Sequence, residues 1–202
     1  MELEYKWKLP ELGTEELLER LGALNPEQLS AETYEMNSKY YDTEDGMFTR
    51  RKGALRLREE NGKRICCVKL AKSASGACTK REEYEIPSDS VQEGLLRLCD
   101  SPLGLAFCIQ ALNQKILQLC SVRFTRQAYL LRFAAEGQEC QGELAVDRGS
   151  AEKEGVTVPI AEVEFEFKSG SEDFFHRCAG QIRETLKLEP QTLPKLAQIM
   201  EA

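Results

Sequence analysis

Residues 161–168 read AEVEFEFK and alternate strictly between apolar and charged side chains. Successive side chains of a β-strand point to opposite faces, so this alternation predicts a strand with one apolar face and one ionic face. The ionic face carries Glu162, Glu164, Glu166 and Lys168. Acids at successive positions of one face repel each other unless cations lie between them. The stretch therefore predicts a strand whose charged face meets cations.

Three other segments divide their side chains in the same way: 2–9 (ELEYKWKL), 54–60 (ALRLREE) and 79–86 (TKREEYEI). Their charged faces carry Glu2, Glu4 and Lys6, then Arg56 and Arg58, then Arg81, Glu83 and Glu85. A single strand of this kind is typical of a half-solvated sheet. Solvated faces usually mix the two signs of charge, however, whereas here one strand is nearly all acid and another all arginine. The set favours an enclosed cavity that holds a polyanion together with metal ions.

The remaining pattern predicts an α+β fold. Helices are predicted at 12–24, 89–99, 102–112, 171–188 and 194–201. Further strands are predicted at 33–42, 63–70, 116–134 (one strand or two), 139–149 and 161–170, with a loop at 71–78. Asn61-Gly62 between two alternating runs is typical of a hairpin. Many antiparallel strands with a few helices indicate a closed or nearly closed barrel with helices packed outside.

Composition limits the function classes. The chain has 202 residues, with 34 acids against 27 bases and a formal net charge of -7. Such a balance disfavours non-specific nucleic-acid binding. The N-terminus does not resemble a signal peptide and no apolar run approaches a membrane span, so we expect a cytoplasmic protein without membrane contact. The eight cysteines contain no Cys-x-x-Cys pair and are expected to be reduced, apolar fillers.

The segregated charges have a chemical interpretation. Carboxylates are hard oxygen ligands that suit Mg²⁺ or Mn²⁺. Arginines present planar forks of donors that match phosphate oxygens. A barrel of about eight strands has room for side chains and one small ligand. We therefore expect the charged faces to point inward and the apolar faces to pack outward against the helices.

At this point the motifs resemble those of a known family, the CYTH domain of the triphosphate tunnel metalloenzymes. The superfamily includes inorganic triphosphatases, thiamine triphosphatases, class IV adenylate cyclases and fungal RNA triphosphatases. The resemblance covers essentially the whole chain and starts from the N-terminal Glu-x-Glu-x-Lys motif. The matching positions are Glu2, Glu4 and Lys6, Tyr40 to Thr43 (YYDT), Leu55 to Arg58 (LRLR), Lys69, Arg81 to Glu85 (REEYE), Arg126, Val146-Asp147, Glu162, Glu164 and Glu166, and Lys195. In the family a serine usually precedes the last lysine, and here Pro194 does; the nearby Arg123 leaves the choice of Arg126 open.

The resemblance implies a single domain over 1–202 that forms an eight-stranded antiparallel tunnel. It implies that Mg²⁺ or Mn²⁺ is held by Glu2, Glu4, Glu162 and Glu164, with help from Asp147 and Glu166. It implies that the phosphates are gripped by Lys6, Arg56, Arg58, Lys69, Arg81, Arg126 and Lys195. Catalysis is then expected to depend most on Glu2, Glu4, Lys6 and Glu164. Glu83 and Glu85 are expected to order Arg81 and neighbouring cations, and Trp7 and His176 to be structural.

The reaction expected from the resemblance is hydrolysis of inorganic tripolyphosphate to diphosphate and phosphate. Adenylate cyclase and thiamine triphosphatase activities on the same scaffold stay open, because the sequence shows no distinctive nucleoside pocket. A non-catalytic polyphosphate sensor is the alternative from a different class. The expected partner is a small-molecule polyphosphate, and the chain is expected to be a monomer or homodimer.

Overall fold

The computed structural model describes residues 2–202, which form a closed antiparallel barrel of eight strands. The strands are β1 (Glu2–Lys8), β2 (Glu27–Thr43), β3 (Gly53–Glu60), β4 (Lys63–Ser75), β5 (Cys78–Pro87), β6 (Ile116–Ala135), β7 (Gln138–Lys153) and β8 (Val156–Gly170). Their order around the barrel is β1-β5-β4-β3-β2-β6-β7-β8, and β8 closes onto β1. The predicted fold, an eight-stranded antiparallel barrel, is confirmed.

Six α-helices accompany the barrel within residues 2–202. They are α1 (Thr14–Leu21), α2 (Met47–Arg50), α3 (Val91–Leu98), α4 (Leu105–Leu112), α5 (Glu172–Leu186) and α6 (Lys195–Met200). A short 3₁₀ turn at Gly22–Leu24 extends α1, so the predicted helix 12–24 is shorter and tightens at its end. Ser90 caps α3 and Ser171 caps α5 through their side-chain oxygens, as expected of serine at a helix start. Across the described residues, the helices are all too short or too polar to cross a membrane.

The strands are longer than their sequence patterns indicate. β2 starts at Glu27, but its first residues are exposed and show no apolar alternation; backbone pairing with β6 supports them. The predicted loop 71–78 is largely strand, because β4 and β5 pair as far as Ser75 and Cys78 around Gly76. The stretch 116–134 is one strand. β7 continues to Lys153 rather than turning after Asp147, and it pairs with β8 along its length.

Apolar side chains on the outer face of the barrel pack against the helices in two clusters. One cluster lies under α1 and α5 and includes Trp7, Phe165 and Phe175, each fully buried. The other lies under α2, α3 and α4 and includes Leu55 and Val68. Burial of a large apolar side chain contributes roughly 2 kcal/mol or more. These contacts hold the apolar faces of the strands outward and turn the ionic faces inward.

A third cluster lies on the inward face and was not foreseen. Met36, Val122 and Ile160 pack there with Ile199 of α6. Across the sheet, Met36 pairs with Phe124, Phe124 with Gly149, and Gly149 with Ile160. Arg126 and Glu162 lie two residues after Phe124 and Ile160 and therefore share their face. The interior is thus not ionic throughout. Helix α6 covers the apolar part of the inward face, and its first residue, Lys195, reaches the ionic part.

The YYDT segment has a structural role in the connection from β2 to β3. Asp42 is buried, and its carboxylate accepts hydrogen bonds from the backbone nitrogens of Phe48 and Thr49, both at 2.9 Å. Thr43 accepts from the backbone nitrogen of Met47 at 2.9 Å. These bonds satisfy backbone donors of the short helix α2, which otherwise have no partner. The segment therefore fixes the turn that leads into the arginines of β3.

Candidate active site

The inward faces of the strands enclose a cavity of about 700 Å³. A volume of this order suits a small-molecule ligand. Its charged lining comes from seven strands and the N-terminus of α6. The charged residues that line it include Glu2, Glu4, Lys6, Arg56, Arg58, Lys69, Arg81, Glu83, Glu85, Arg126, Glu143, Glu164, Glu166, Lys168 and Lys195. Acids and bases that are far apart in the sequence thus converge on one enclosed space.

A row of three carboxylates crosses the cavity wall from β1 to β7. Glu4 pairs in register with Glu166, and Glu166 pairs with Glu143 on its other side. Like charges directly opposite each other destabilise a sheet. Burial raises the pKa of Glu166, Lys168 lowers it, and the charges of Glu2 and Glu143 raise it again, so the pKa ends above 4.5. This excess of negative charge on the cavity wall suits a divalent cation.

Glu143 was missed by the sequence analysis, although a signal was present. It lies four residues before Asp147, so strand parity places the two on the same face. The register shift at Gln141 and Gly142 separates Glu143 from the alternation that precedes it. Its partner in the structure is Lys168, whose Nζ lies 3.6 Å from the Glu143 carboxylate and 3.0 Å from that of Glu166.

The opposite wall presents the cations of β3, β4 and β5. Lys69 lies 3.0 Å from Glu2 and 3.1 Å from Glu83, and Arg56 lies 3.6 Å from Glu83 and from Glu85. The Nε and Nη2 atoms of Arg56 are buried and have no hydrogen-bond partner among the described residues. A buried donor without a partner is costly, and it is satisfied when an anion enters. This wall is therefore prepared for the oxygens of an anion.

Glu83 and Glu85 were expected to order Arg81 and neighbouring cations. Of these, they contact the neighbouring cations Lys69, Arg56 and Arg58. Arg81 lies 3.5 Å from Glu4. The reason is register: Lys69 is directly opposite Glu83, whereas Arg81 is paired with Glu2 on β1. The two acids therefore form ion pairs with three of the candidate phosphate-binding residues.

Cys67 lies on the inward face between Arg56 and Glu85. Its ligand atom is close enough to those of Glu83 and Glu85 to form a possible three-residue metal group. Burial raises the pKa of the Cys67 thiol to about 12, and the thiol donates to Glu83 at 3.1 Å. The guanidinium of Arg56, which lies 3.6 Å from both Glu83 and Glu85, disfavours a second cation at this position. This group is a hydrogen-bonded part of the wall.

Lys6 and Glu164 form a buried ion pair at the floor of the cavity, 2.8 Å apart. Burial by itself lowers the pKa of Lys6, but Glu164 and then Glu4 raise it more, so Lys6 stays protonated. Burial raises the pKa of Glu164, but Lys195, Lys6 and Arg126 together hold it well below 4.5. Glu164 is therefore ionised at neutral pH.

Beneath this pair lies a buried group of acids and bases. Asp147 and Glu162 are both fully buried, and neither lines the cavity. Arg126 donates to both oxygens of Asp147, at 2.8 and 2.7 Å, and also contacts Glu164. The Nζ of Lys195 lies 2.8 Å from Asp147, 2.5 Å from Glu162 and 2.8 Å from Glu164. The structure thus places two of the six expected metal ligands away from the cavity, in contact with bases.

Several other expectations have clear positions in the structure. Arg126 lines the cavity, whereas Arg123 is exposed and lines a separate surface groove. Lys195 is buried rather than solvated. Trp7 packs outward in the cluster under α1 and α5. His176 lies on α5 and contacts the hydroxyl of Tyr5 at 2.8 Å, on the outer face of β1.

The acids that face the cavity are of the chemical type that binds a hard divalent cation. Glu2, Glu4, Glu164 and Glu166 supply carboxylate oxygens, which Mg²⁺ and Mn²⁺ prefer. Glu143 adds a fifth carboxylate on the same wall. The acids of the row through Glu4 and Glu166 repel one another, and the lysines and arginines nearby are shared among several acids.

The chain matches one protein family and is similar to a curated relative. The sequence profile of the CYTH domain matches residues 1–197. The inorganic triphosphatase of Haemophilus influenzae is 28% identical over 144 residues, which cover 69% of this chain and 38% of that protein. The chain therefore matches less than half the length of this curated relative.

Solved structures share the fold. A Hippeastrum protein, described as a proposed adenylyl cyclase with a dominant triphosphatase activity, has a TM-score of 0.61 at 21% identity, covering 100% of this chain and 96% of that one. The PH1819 protein of Pyrococcus horikoshii has a TM-score of 0.60 at 18% identity, covering 100% and 99%. At these identities the likeness shows the fold alone.

Proposed function

This chain belongs to the CYTH domain family, and we propose that it hydrolyses a linear triphosphate, inorganic tripolyphosphate, to diphosphate and phosphate in a metal-dependent reaction. The observation that carries the proposal is the lining of one cavity by both kinds of group that the reaction needs. Carboxylates of β1, β7 and β8 face cations of β3, β4 and β5 across it. The curated triphosphatase relative supports the same reaction class.

The chain's own residues bind and orient the substrate. Arg56 and Arg58 lie two positions apart on β3 and present guanidinium forks to the same region of the cavity. Such forks bind phosphate oxygens through two parallel hydrogen bonds. Lys69 and Arg81 extend the cationic wall toward β1. The cations stabilise negative charge as it moves to the leaving diphosphate, which is the main protein contribution to phosphoryl transfer.

Glu2, Glu4, Glu164 and Glu166 are the residues proposed to hold Mg²⁺ or Mn²⁺. When bound, such an ion neutralises phosphate oxygens and lowers the pKa of a water that serves as nucleophile. Lys6 lies between Glu4 and Glu164, at 3.9 and 2.8 Å, and keeps their carboxylates at fixed positions on the cavity floor. The barrel walls limit the access of bulk water, which strengthens every charge interaction inside.

One observation favours a second candidate, hydrolysis or cyclisation of an organic triphosphate such as ATP or thiamine triphosphate. Tyr34, Met36, Leu196 and Met200 add an apolar side to the cavity next to Arg126. An apolar surface beside a triphosphate clamp can receive a ring system. The same cavity with no catalysis would be a polyphosphate sensor, which the following experiment also tests.

The test is product analysis with tripolyphosphate, ATP and thiamine triphosphate, each with Mg²⁺, with Mn²⁺ and with a chelator. The proposal predicts equal amounts of diphosphate and phosphate from tripolyphosphate, and no release with the chelator. Cyclic AMP or faster turnover of an ester would favour the second candidate. Binding of tripolyphosphate without any turnover, with either metal, would support the sensor and contradict the proposal.

A further inference from the structure

We infer that Lys195 is the built-in cation of the buried acids Asp147 and Glu162, so that neither binds a divalent ion and both act as positioning residues, while Glu164 connects this group to the cavity. The inference departs from the ligand set expected for this scaffold. It rests on the proposed function only in placing the metal elsewhere, on the cavity wall around Glu4.

Oxygens of the buried acids are already occupied by a cation of the chain itself. The closest oxygens of Asp147, Glu162 and Glu164 lie within 4.8 Å of one another, a spacing that could hold a metal ion. The Nζ of Lys195 already lies 2.5 to 2.8 Å from one oxygen of each. An ammonium group has three N–H donors, which matches three carboxylate contacts. The position that a metal ion would take is therefore filled by a side chain of the chain itself.

The remaining oxygens of Asp147 and Glu162 also accept hydrogen bonds. Gln198, one turn after Lys195 on α6, donates its amide to the other oxygen of Glu162 at 2.5 Å. The same amide donates to the backbone oxygen of Leu193 at 3.1 Å. Arg126 binds both oxygens of Asp147 as a fork. Glu162 and Asp147 thus have both oxygens in use, and Gln198 is a further positioning residue that holds Glu162 toward Lys195.

The charges of the buried group balance one another. The three acids carry three negative charges, and Lys6, Arg126 and Lys195, which contact them, carry three positive charges. All of these groups are largely removed from water, so an added divalent ion would carry uncompensated charge in a poorly solvated region. The cavity wall differs: Lys6 lies closest to Glu164, so among the described residues the row of Glu4, Glu166 and Glu143 keeps Lys168 and Arg81, two cations for three acids.

Two contacts explain why a lysine suits this position. The Nζ of Lys195 lies 5.0 Å from the centre of the Phe124 ring, and Phe124 belongs to the apolar cluster under α6. The ammonium is therefore enclosed by carboxylates on one side and an aromatic face on the other. The Lys195 contacts anchor α6 at its first residue, while Ile199 anchors it one turn later. The group closes the barrel interior and aims Arg126 at the cavity.

The test is a Mn²⁺ titration of the full chain, in which electron paramagnetic resonance measures the free ion. Lys195→Met leaves the three acids with one unbalanced negative charge, and we expect it to bind one more Mn²⁺ per chain than the unmodified protein. Lys8→Met is the matched control, since Lys8 forms an exposed pair with Glu189 and its loss should add no site. Adding Glu162→Gln to Lys195→Met should abolish the extra site.

An unchanged Mn²⁺ stoichiometry in a folded Lys195→Met protein would overturn the inference. A second arm decides the question if Lys195→Met does not fold. Glu162→Gln should leave the Mn²⁺ affinity within about threefold of the unmodified protein, whereas Glu4→Gln should weaken it at least tenfold. Equal weakening by both substitutions would place the ion on Glu162 and overturn the inference. Neither arm measures turnover, so a failure of the proposed reaction would be seen separately, as absence of phosphate release.

Discussion

Glu4 combines a position on the cavity wall with weak contacts to its neighbours. Thr79 donates to it at 3.1 Å, and Arg81 and Lys6 lie 3.5 and 3.9 Å away. Its direct neighbour in the sheet, Glu166, is another acid. Its charge therefore contributes little to folding and much to the field that attracts a cation. Among the acids expected to bind metal, Glu4 is the one whose removal separates catalysis from stability.

Glu4→Gln is predicted to lower metal-dependent turnover of tripolyphosphate by about 100-fold or more, because loss even of a group behind a metal ligand costs 10- to 100-fold. The free energy of unfolding without metal should change by no more than about 1 kcal/mol. Steady-state phosphate release and urea denaturation measure the two quantities. Glu59→Gln, in an exposed pair with Arg64, is the control. Full activity of Glu4→Gln at limiting Mg²⁺ would show that Glu4 is not a ligand.

Arg56→Lys is predicted to raise the KM for tripolyphosphate about tenfold, or about 1.4 kcal/mol. Lysine keeps the charge but loses the planar fork, and two of the Arg56 nitrogens are buried without a partner until an anion binds. Arg64→Lys, at an exposed position paired with Glu59, should leave KM unchanged. Equal KM values for the two variants would mean that Arg56 holds the wall together without touching phosphate.

Glu164 should make the protein sensitive to acid. Its folded pKa is held well below 4.5, so its contribution to stability is complete above 4.5 and is lost as the pH falls through the folded pKa. Glu164→Gln leaves Lys6, Arg126 and Lys195 short of an anion and is predicted to cost about 3–5 kcal/mol at pH 7. Because the variant has already lost this contribution, its unfolding free energy should fall less than that of the unmodified protein as the pH is lowered from about 5 to about 3. Parallel pH profiles in urea denaturation would contradict this account.

At the scale of elements, two helical glycines show how closely α3 lies on the barrel. A Cβ on Gly94 of α3 would come within 2.2 Å of the Cβ of Cys66 on β4, whereas a Cβ on Gly180 of α5 would meet nothing within 4 Å. Glycine inside a helix is about 1 kcal/mol less favourable than alanine. In α3, the lower helix propensity of Gly94 is offset by a closer approach of the helix to the sheet. In α5, Gly180 lowers helix propensity without allowing any closer contact.

The matched substitutions Gly94→Ala and Gly180→Ala should change stability in opposite directions. Gly180→Ala is predicted to stabilise by about 0.5–1 kcal/mol. Gly94→Ala is predicted to destabilise by about 1–3 kcal/mol, because overpacking forces α3 or β4 to move. Thermal unfolding of both variants measures the difference. Stabilisation by both would mean that α3 adjusts its distance from the barrel freely.

The elements also show which part of the fold a sequence can predict. Residues 161–168 alternate cleanly because their apolar side chains pack under α5 and their acids face the interior, so parity alone assigns both faces. The start of β2, in contrast, is exposed on both faces, and only its backbone pairing with β6 makes it a strand. The loop predicted at 71–78 is strand for the same reason, since its small polar residues have no period.

At the scale of the whole molecule, the sequence predicts which residues face inward better than it predicts what they contact. Glu162 and Glu164 are equivalent by parity, yet Glu164 lines the cavity and Glu162 is fully buried against Lys195 and Gln198. That difference arises when α6 docks on the barrel, which no local pattern records. The apolar wall of Met36 and Phe124 is also a product of closure, because it becomes interior only when β2 meets β6.

Substrate and metal are both expected to bind in the charged interior of the barrel. The most direct measurement is a crystal structure of the protein with tripolyphosphate and Mn²⁺, in which anomalous scattering locates the metal. We predict a Mn²⁺ peak within coordination distance of Glu4 and phosphate oxygens on Arg56 and Arg58, inside the barrel. Tripolyphosphate or Mn²⁺ bound only on the outer surface, with the cavity filled by water, would contradict the account.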